Sequence, residues 1–163
     1  THSVILFEPA ERILVSADAL WERGFGVVFP ELEGDDAFDE LGETLDLIES
    51  LAPATVIPGH GAVFTEVDKA IAIARERLNG FLANPAKHTR HAAKVLLKFK
   101  LLEVQSLPYA AFIAWVQATP YFRMMFDRHL SGPDFGQWID ELVADLVRSG
   151  AAIREGLVIR NAG

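Results

Sequence analysis

Two short apolar runs, each ending in a side chain able to hold a ligand, constrain this chain more than any other feature. Arg12-Ile13-Leu14-Val15-Ser16-Ala17-Asp18 puts a carboxylate where a branched run stops. Ala54-Thr55-Val56-Ile57-Pro58-Gly59-His60-Gly61 puts an imidazole at the end of a second run. Runs of this length and branching read as buried strands. Open α/β sheets collect ligands in the crevice beyond the C-terminal ends of their strands. An Asp and a His delivered there suit a metal, but two side chains are too few for a catalytic zinc, which takes at least three protein ligands and an open position.

The elements around these runs read as an α/β layer. Val4-Ile5-Leu6-Phe7 is a further short strand, and Pro9-Ala10-Glu11-Arg12 reads as the hairpin turn after it. Residues 21–34 show no period and carry glycines and aromatics, the composition of a long loop beside a site. Asp35 and Asp36 suit N-caps. Phe38, Leu41, Leu45 and Ile48 then fall at helical spacing until Pro53. A second amphipathic helix is predicted over 68–83, with Ile71, Ala74, Leu78 and Phe81/Leu82 inward. Asn84-Pro85 breaks it, and a domain boundary is expected there.

Charge changes at the same point. Residues 1–84 carry 5 Lys/Arg against 16 Asp/Glu, a net −11; residues 85–163 carry 10 against 7, a net +3. An acidic half and a mildly basic half suggest two units with different tasks. The second half predicts a helix over 88–104, another opening at Pro108 and divided near Pro120, and a third over 135–149 capped by Gly150. A hairpin with a two-residue turn at Glu155-Gly156 closes the chain. Three helices followed by a hairpin is the layout of a winged helix.

Each candidate residue has an ordinary alternative. Asp18 is either a ligand or a turn cap. His60 is either a ligand left as the one functional group of a glycine-rich turn, or a loop histidine bonded to a carbonyl. Trp21 and Phe25 follow Asp18 closely; they either wall a substrate pocket or pack in the core. His88 and His91, three apart without a third partner, read as surface residues, as does His129. Trp115, Tyr121, Phe122, Phe126 and Trp138 read as core. Lys87, Arg90, Lys94 and Lys98 share one helical face. Such a stripe either follows phosphates or is simply solvated. Asp140, Glu141 and Asp145 on the later helix disfavour nucleic acid.

Ser16-Ala17-Asp18-Ala19-Leu20-Trp21, the loop Gly24-Phe25-Gly26 with Phe29-Pro30-Glu31-Leu32, and Pro58-Gly59-His60-Gly61 resemble the second half of a metallo-β-lactamase-fold hydrolase. The resemblance covers residues 1–84. It implies the C-terminal half of an αββα sandwich and a site for one or two metal ions, usually zinc. It implies that Asp18 bridges the metals and that His60 is a ligand of the second. Ala17 departs from the family, where Gly commonly precedes this Asp. The family's His-x-His-x-Asp-His motif is absent, and His2 lies too close to its strand for the third histidine, so it is taken as flanking the pocket. Residues 85–163 resemble, more loosely, a winged-helix-like segment appended to some members.

The expectation is therefore an α/β (α+β) chain that is the C-terminal portion of a longer, metal-dependent hydrolase. An ester, thioester or lactone is the first substrate class and a phosphodiester the second; this chain alone should lack activity. The alternative is a non-catalytic binding or dimerisation module. Association with another copy or with the missing half is expected, because an uncovered sheet face is apolar. The chain has no cysteine, so disulfides and thiolate ligands are excluded. The first residues lack a signal-peptide pattern, no run is long enough to span a membrane, and a cytoplasmic location is the default.

Overall fold

Three short strands near the start of the chain pair in a mixed sheet. In the computed structural model, which describes residues 4–30, 36–130 and 134–162, the chain is a mixed α/β protein of two compact units, Thr1–Asn84 and Pro85–Gly163. In the first, β1 (Leu6–Glu8), β2 (Ile13–Ala17) and β3 (Thr55–Pro58) form a sheet of order β1-β2-β3. β1 runs antiparallel to β2, and β2 runs parallel to β3. The turn at residues 9–12 is closed by the Glu8 carboxylate, which accepts the Ala10 N–H at 2.9 Å and the Glu11 N–H at 2.7 Å.

Between β2 and β3 lies α1 (Ala37–Leu51), and α2 (Val67–Ala83) follows β3. Asp36 precedes α1 without a side-chain cap bond, and Asp35 lies outside the described residues. The helix ends at Ala52, whose backbone turns left-handed with φ 46°. Its carbonyl accepts from the Arg12 guanidinium. Arg12 also accepts the Ala54 N–H on its own carbonyl at 2.8 Å. One residue thus ties the hairpin to the end of α1 and the start of β3. Arg75 on α2 bonds Asp46 and Glu49 on α1, each at 2.7 Å.

Period-2 alternation divides the sheet into two unlike faces. Phe7, Leu14 and Val56 stand in register across the three strands on one face. Leu14 and Val56 are fully buried there in the same core as Leu45, Ile48, Ile71, Ala74, Leu78 and Phe81. On the other face Leu6, Val15 and Ile57 form the next row, 63%, 39% and 40% exposed, with Val4 at 71%. Leu14 and Val56 therefore share the covered face, and Ile57 stands on the opposite one. Adjacent strand residues point oppositely, so Val56 enters the core and Ile57 does not. Leu82, expected inward, is 49% exposed, because α2 turns Phe81 to the core instead.

The second unit opens with α3 (Pro85–Val104) and continues through β4 (Ser106–Pro108), α4 (Tyr109–Ala118), α5 (Pro120–His129), α6 (Phe135–Arg148), β5 (Ala152–Glu155) and β6 (Val158–Asn161). Pro120 begins α5 and holds Thr119 extended, which divides the middle helix. Asp134 caps α6 by accepting the Gly136 N–H at 2.8 Å. Gly150, at φ 75°, ends it: the Gly150 and Ala151 N–H groups return to Val147 and Leu146. β5 and β6 pair with Glu155 opposite Val158, so the turn is Gly156-Leu157, one residue later than expected. β4 was not anticipated. Three residues carry no alternation to read, and the strand exists because β6 supplies its ladder in the order β4-β6-β5.

Three residues of the basic stripe of α3 are engaged rather than simply solvated, while Lys87 is exposed. Arg90 donates to Asp145 at 3.0 Å and to Glu141 at 3.2 Å, and Lys94 lies 3.5 Å from Asp145. The Lys98 ammonium donates to the Ala151 carbonyl at 2.8 Å, the Ala162 carbonyl at 2.9 Å and the Asn161 side chain. Two of the α6 acids that disfavour a phosphate ligand, Glu141 and Asp145, are partners of Arg90 and Lys94, while Asp140 accepts from the Tyr109 hydroxyl at 3.1 Å. His88, expected at the surface, is buried at 3% exposure. Among the described residues no helix is long and apolar enough to cross a membrane.

Two outcomes follow. Val15→Thr with Ile57→Thr keeps strand-forming residues while removing apolar surface. Wild-type chain should associate with rising concentration and enhance the fluorescence of an apolar dye, and the double variant should do both less. Light scattering that finds wild type monomeric and dye-silent contradicts this. Asp145→Asn should cost about 1–2 kcal/mol at pH 7, the scale of a charge-assisted hydrogen bond. The Arg90 hydrogen bond, aided by nearby Lys94 and Arg148, lowers the pKa of Asp145. Its stabilisation is therefore full above the unfolded carboxylate value of about 3.9 and is lost as pH falls through the lower folded value. Urea unfolding of both proteins from pH 7 down to strong acid checks that the gap between them closes.

Candidate functional site

The end of β2 is built to turn. Its pairing with β3 shifts register between Val15 and Ala17, and Ala17 is left-handed at φ 47°. Ser16 is fully buried, and its hydroxyl donates to the Leu20 carbonyl at 2.6 Å. The Ala19 N–H closes back on the Ser16 carbonyl at 3.0 Å. Asp18 leaves the strand on this turn with its side chain 60% exposed. Ala17 occupies a conformation that glycine enters without the cost of a Cβ.

Two glycines make room for Asp18. The Gly59 N–H donates to the Ala17 carbonyl at 2.8 Å, and the Gly26 N–H donates to the Asp18 carbonyl at 2.8 Å. A Cβ on Gly59 would lie 2.8 Å from Asp18 Oδ1, and one on Gly26 would lie 2.7 Å from the Asp18 Cβ. Both segments therefore approach Asp18 more closely than any side chain permits. The turn carrying His60 is closed by the Val56–Phe64 bridge, with bonds of 2.9 and 3.1 Å. Gly61 turns it with φ 95°.

These constraints bring the two predicted ligands together. His60 Nε2 lies 3.9 Å from Asp18 Oδ1. That is too long for a hydrogen bond. Nitrogen and oxygen donors on one tetrahedral zinc, at bond lengths of about 2.0–2.2 Å, stand about 3.4 Å apart. A small side-chain adjustment reaches that separation. The donor chemistry and spacing fit two positions of a zinc shell, but the number does not complete it. Among the described residues no group of three or more His, Asp or Glu is placed to hold an ion.

Trp21 joins the pair. Its indole N–H donates to Asp18 Oδ1 at 3.3 Å, and its ring meets the His60 ring edge-to-face, centroids 5.2 Å apart at 76°. Phe25 does not line the site: it is 1% exposed, edge-on to Phe81 at 6.3 Å. The Arg77 guanidinium lies 5.0 Å above its ring, and burial lowers the Arg77 pKa. Phe25 follows the Trp21–Gly24 turn, which directs it inward. His2 lies outside the described residues. His88, His91 and His129 lie on α3 and α5, in the second unit. A cavity of about 330 Å³ lined by Glu22, Arg23, Glu66, Lys69, Ala70 and Ile73 includes neither Asp18 nor His60.

Sequence reasoning missed Gly26, Ser16 and Arg77. The only signal for Gly26 was its place in Gly24-Phe25-Gly26; for Ser16, a polar residue inside an apolar run; for Arg77, none.

No known family model matches the chain, and neither does any curated protein. Among solved structures, a metallo-beta-lactamase family protein from Thermus thermophilus is similar, with 16% identity over 96% of this chain and a TM-score of 0.41. The match covers 44% of that protein, so this chain spans less than half its length.

The close approach at Gly59 is directly testable. Gly59→Ala should displace the Asp18 carboxylate and, because its Cβ would also lie 3.1 Å from the Ala17 backbone, cost about 1–3 kcal/mol, the range for overpacking. Denaturant unfolding that leaves the variant as stable as wild type contradicts the packing described.

Proposed function

We propose that Asp18 and His60 supply two ligands to a divalent metal, zinc first, in a hydrolase of the metallo-β-lactamase type. The observation that carries this reading is the pair itself. A carboxylate and an imidazole leave the ends of two neighbouring parallel strands 3.9 Å apart, with glycine at the positions where a Cβ would collide. The remaining ligands would come from outside the described residues. The first unit would be one sheet-and-helix layer of an αββα sandwich, and the apolar row Leu6–Val15–Ile57 is what a second sheet would cover. The second unit reads as a winged-helix-like module, supported by its terminal hairpin and the sheet order β4-β6-β5.

In this reading Asp18 and His60 would hold the ion, and the Asp18 carboxylate would also orient the attacking water. The ion, when bound, lowers the pKa of a water from about 15.7 towards 7 and polarises the oxygen of the group attacked. An ester, thioester or lactone is the substrate class we favour, and a phosphodiester comes second. Both rest on analogy, since a fold hosts many chemistries. With only these two donors among the described residues, the pair would bind metal weakly and would not by itself support hydrolysis.

A non-catalytic association module is the second reading, and the exposed row on the sheet favours it. Nucleic-acid binding through α3 has less support, because Arg90 and Lys94 are engaged by Glu141 and Asp145.

Zinc titration by calorimetry separates the readings. Wild type should take up one ion, and Asp18→Asn or His60→Ala should each weaken uptake by at least about 10-fold, since losing a ligand costs no less than losing its supporting partner. Equal uptake by wild type and both variants would sink the metal reading and leave the association module.

A further inference from the structure

We propose that Trp21 is a positioning residue that sets the Asp18 carboxylate and the His60 ring for a shared ligand. The proposal rests on the metal reading of the pair and adds a residue to it.

The geometry is specific on both sides of the indole. Its N–H is the one polar group of the ring, and it donates to Asp18 Oδ1 at 3.3 Å. That is the same oxygen that faces His60 Nε2 at 3.9 Å. A carboxylate rotates freely about its last torsion when exposed, and Asp18 is 60% exposed. A donor on Oδ1 selects the rotation that points this oxygen at His60. The edge-to-face contact, at 5.2 Å and 76°, restrains the imidazole at the same time. His60 is 73% exposed and lies beyond hydrogen-bond distance of Asp18, and the indole touches both side chains.

Trp21 is itself held from the core. Its backbone N–H donates to the Gly24 carbonyl at 2.7 Å. Gly24 has φ 120°, and a Cβ there would lie 2.8 Å from an Arg77 nitrogen. Arg77 in turn lies over the rings of Phe25 and Phe81, at 5.0 and 5.4 Å. A run of close contacts thus leads from α2 through Arg77, Gly24 and Trp21 to the two candidate ligands. Groups that orient metal ligands affect affinity nearly as much as the ligands do.

Trp21→Phe removes the N–H and keeps a ring beside His60. Zinc affinity should fall about 10-fold, with the thermal midpoint unchanged, because the half-buried ring is retained. A second measurement does not need metal. The Trp21 indole N–H resonance, assigned by its loss in Trp21→Phe, should move and exchange faster in Asp18→Ala. Unchanged zinc affinity in Trp21→Phe, or an indole resonance indifferent to Asp18→Ala, overturns the proposal. A fall in thermal midpoint with unchanged affinity makes Trp21 structural and also overturns it. If wild type takes up no zinc, the metal reading fails instead, and the indole resonance alone decides whether Trp21 sets Asp18.

Discussion

The parallel ladder between β2 and β3 is the interaction on which the first unit depends. Ile13, Leu14 and Val15 stand opposite Thr55, Val56 and Ile57, and Ala17 opposite Pro58. Parallel pairing sends both strand ends out on the same side of the sheet. Asp18 follows Ala17 by one residue and His60 follows Pro58 by two, so the register alone puts them near each other. The left-handed turn at Ala17 and the absence of a Cβ at Gly59 then reduce "near" to 3.9 Å. An antiparallel arrangement of the same two strands would have put them at opposite ends.

The same ladder leaves the first unit with one satisfied face and one open face. Leu14 and Val56 are fully buried under α1 and α2, each contributing about 1.5–3 kcal/mol, and Phe7 is partly buried beside them. Leu6, Val15 and Ile57 have no such cover among the described residues. Leu6 keeps most of its surface exposed and Val15 and Ile57 about two fifths, so a layer placed over them gains a continuous row rather than scattered contacts.

Several features were legible because they depend on neighbours in sequence. The strands at 13–17 and 55–58, the helix stripes, the break at Pro120 and the cap at Gly150 all follow from local chemistry. What escaped depends on partners far along the chain. The basic residues of α3 and the acids of α6 were each visible, 51 and 55 residues apart for Arg90 with Glu141 and Asp145, but their pairing was not. His88 looked exposed because polarity suggested it, yet its position on α3 faces the core. Phe25 stood beside Trp21 in the loop. Which of the two turned inward depended on the Trp21–Gly24 turn and on Arg77, not on the run of residues.

The sequence by itself determined the element types, the short strand β4 excepted, and the identity of the two candidate ligands. It placed a carboxylate and an imidazole at the ends of two β-branched runs, and only a strand end displays such groups in that way. The tertiary structure decided their separation, the glycines that permit it, and Trp21 as the group touching both. Those are distances between segments some forty residues apart in sequence, and no local preference encodes them. They arise when the parallel register, the left-handed Ala17 and the close passage of Gly26 and Gly59 are satisfied together.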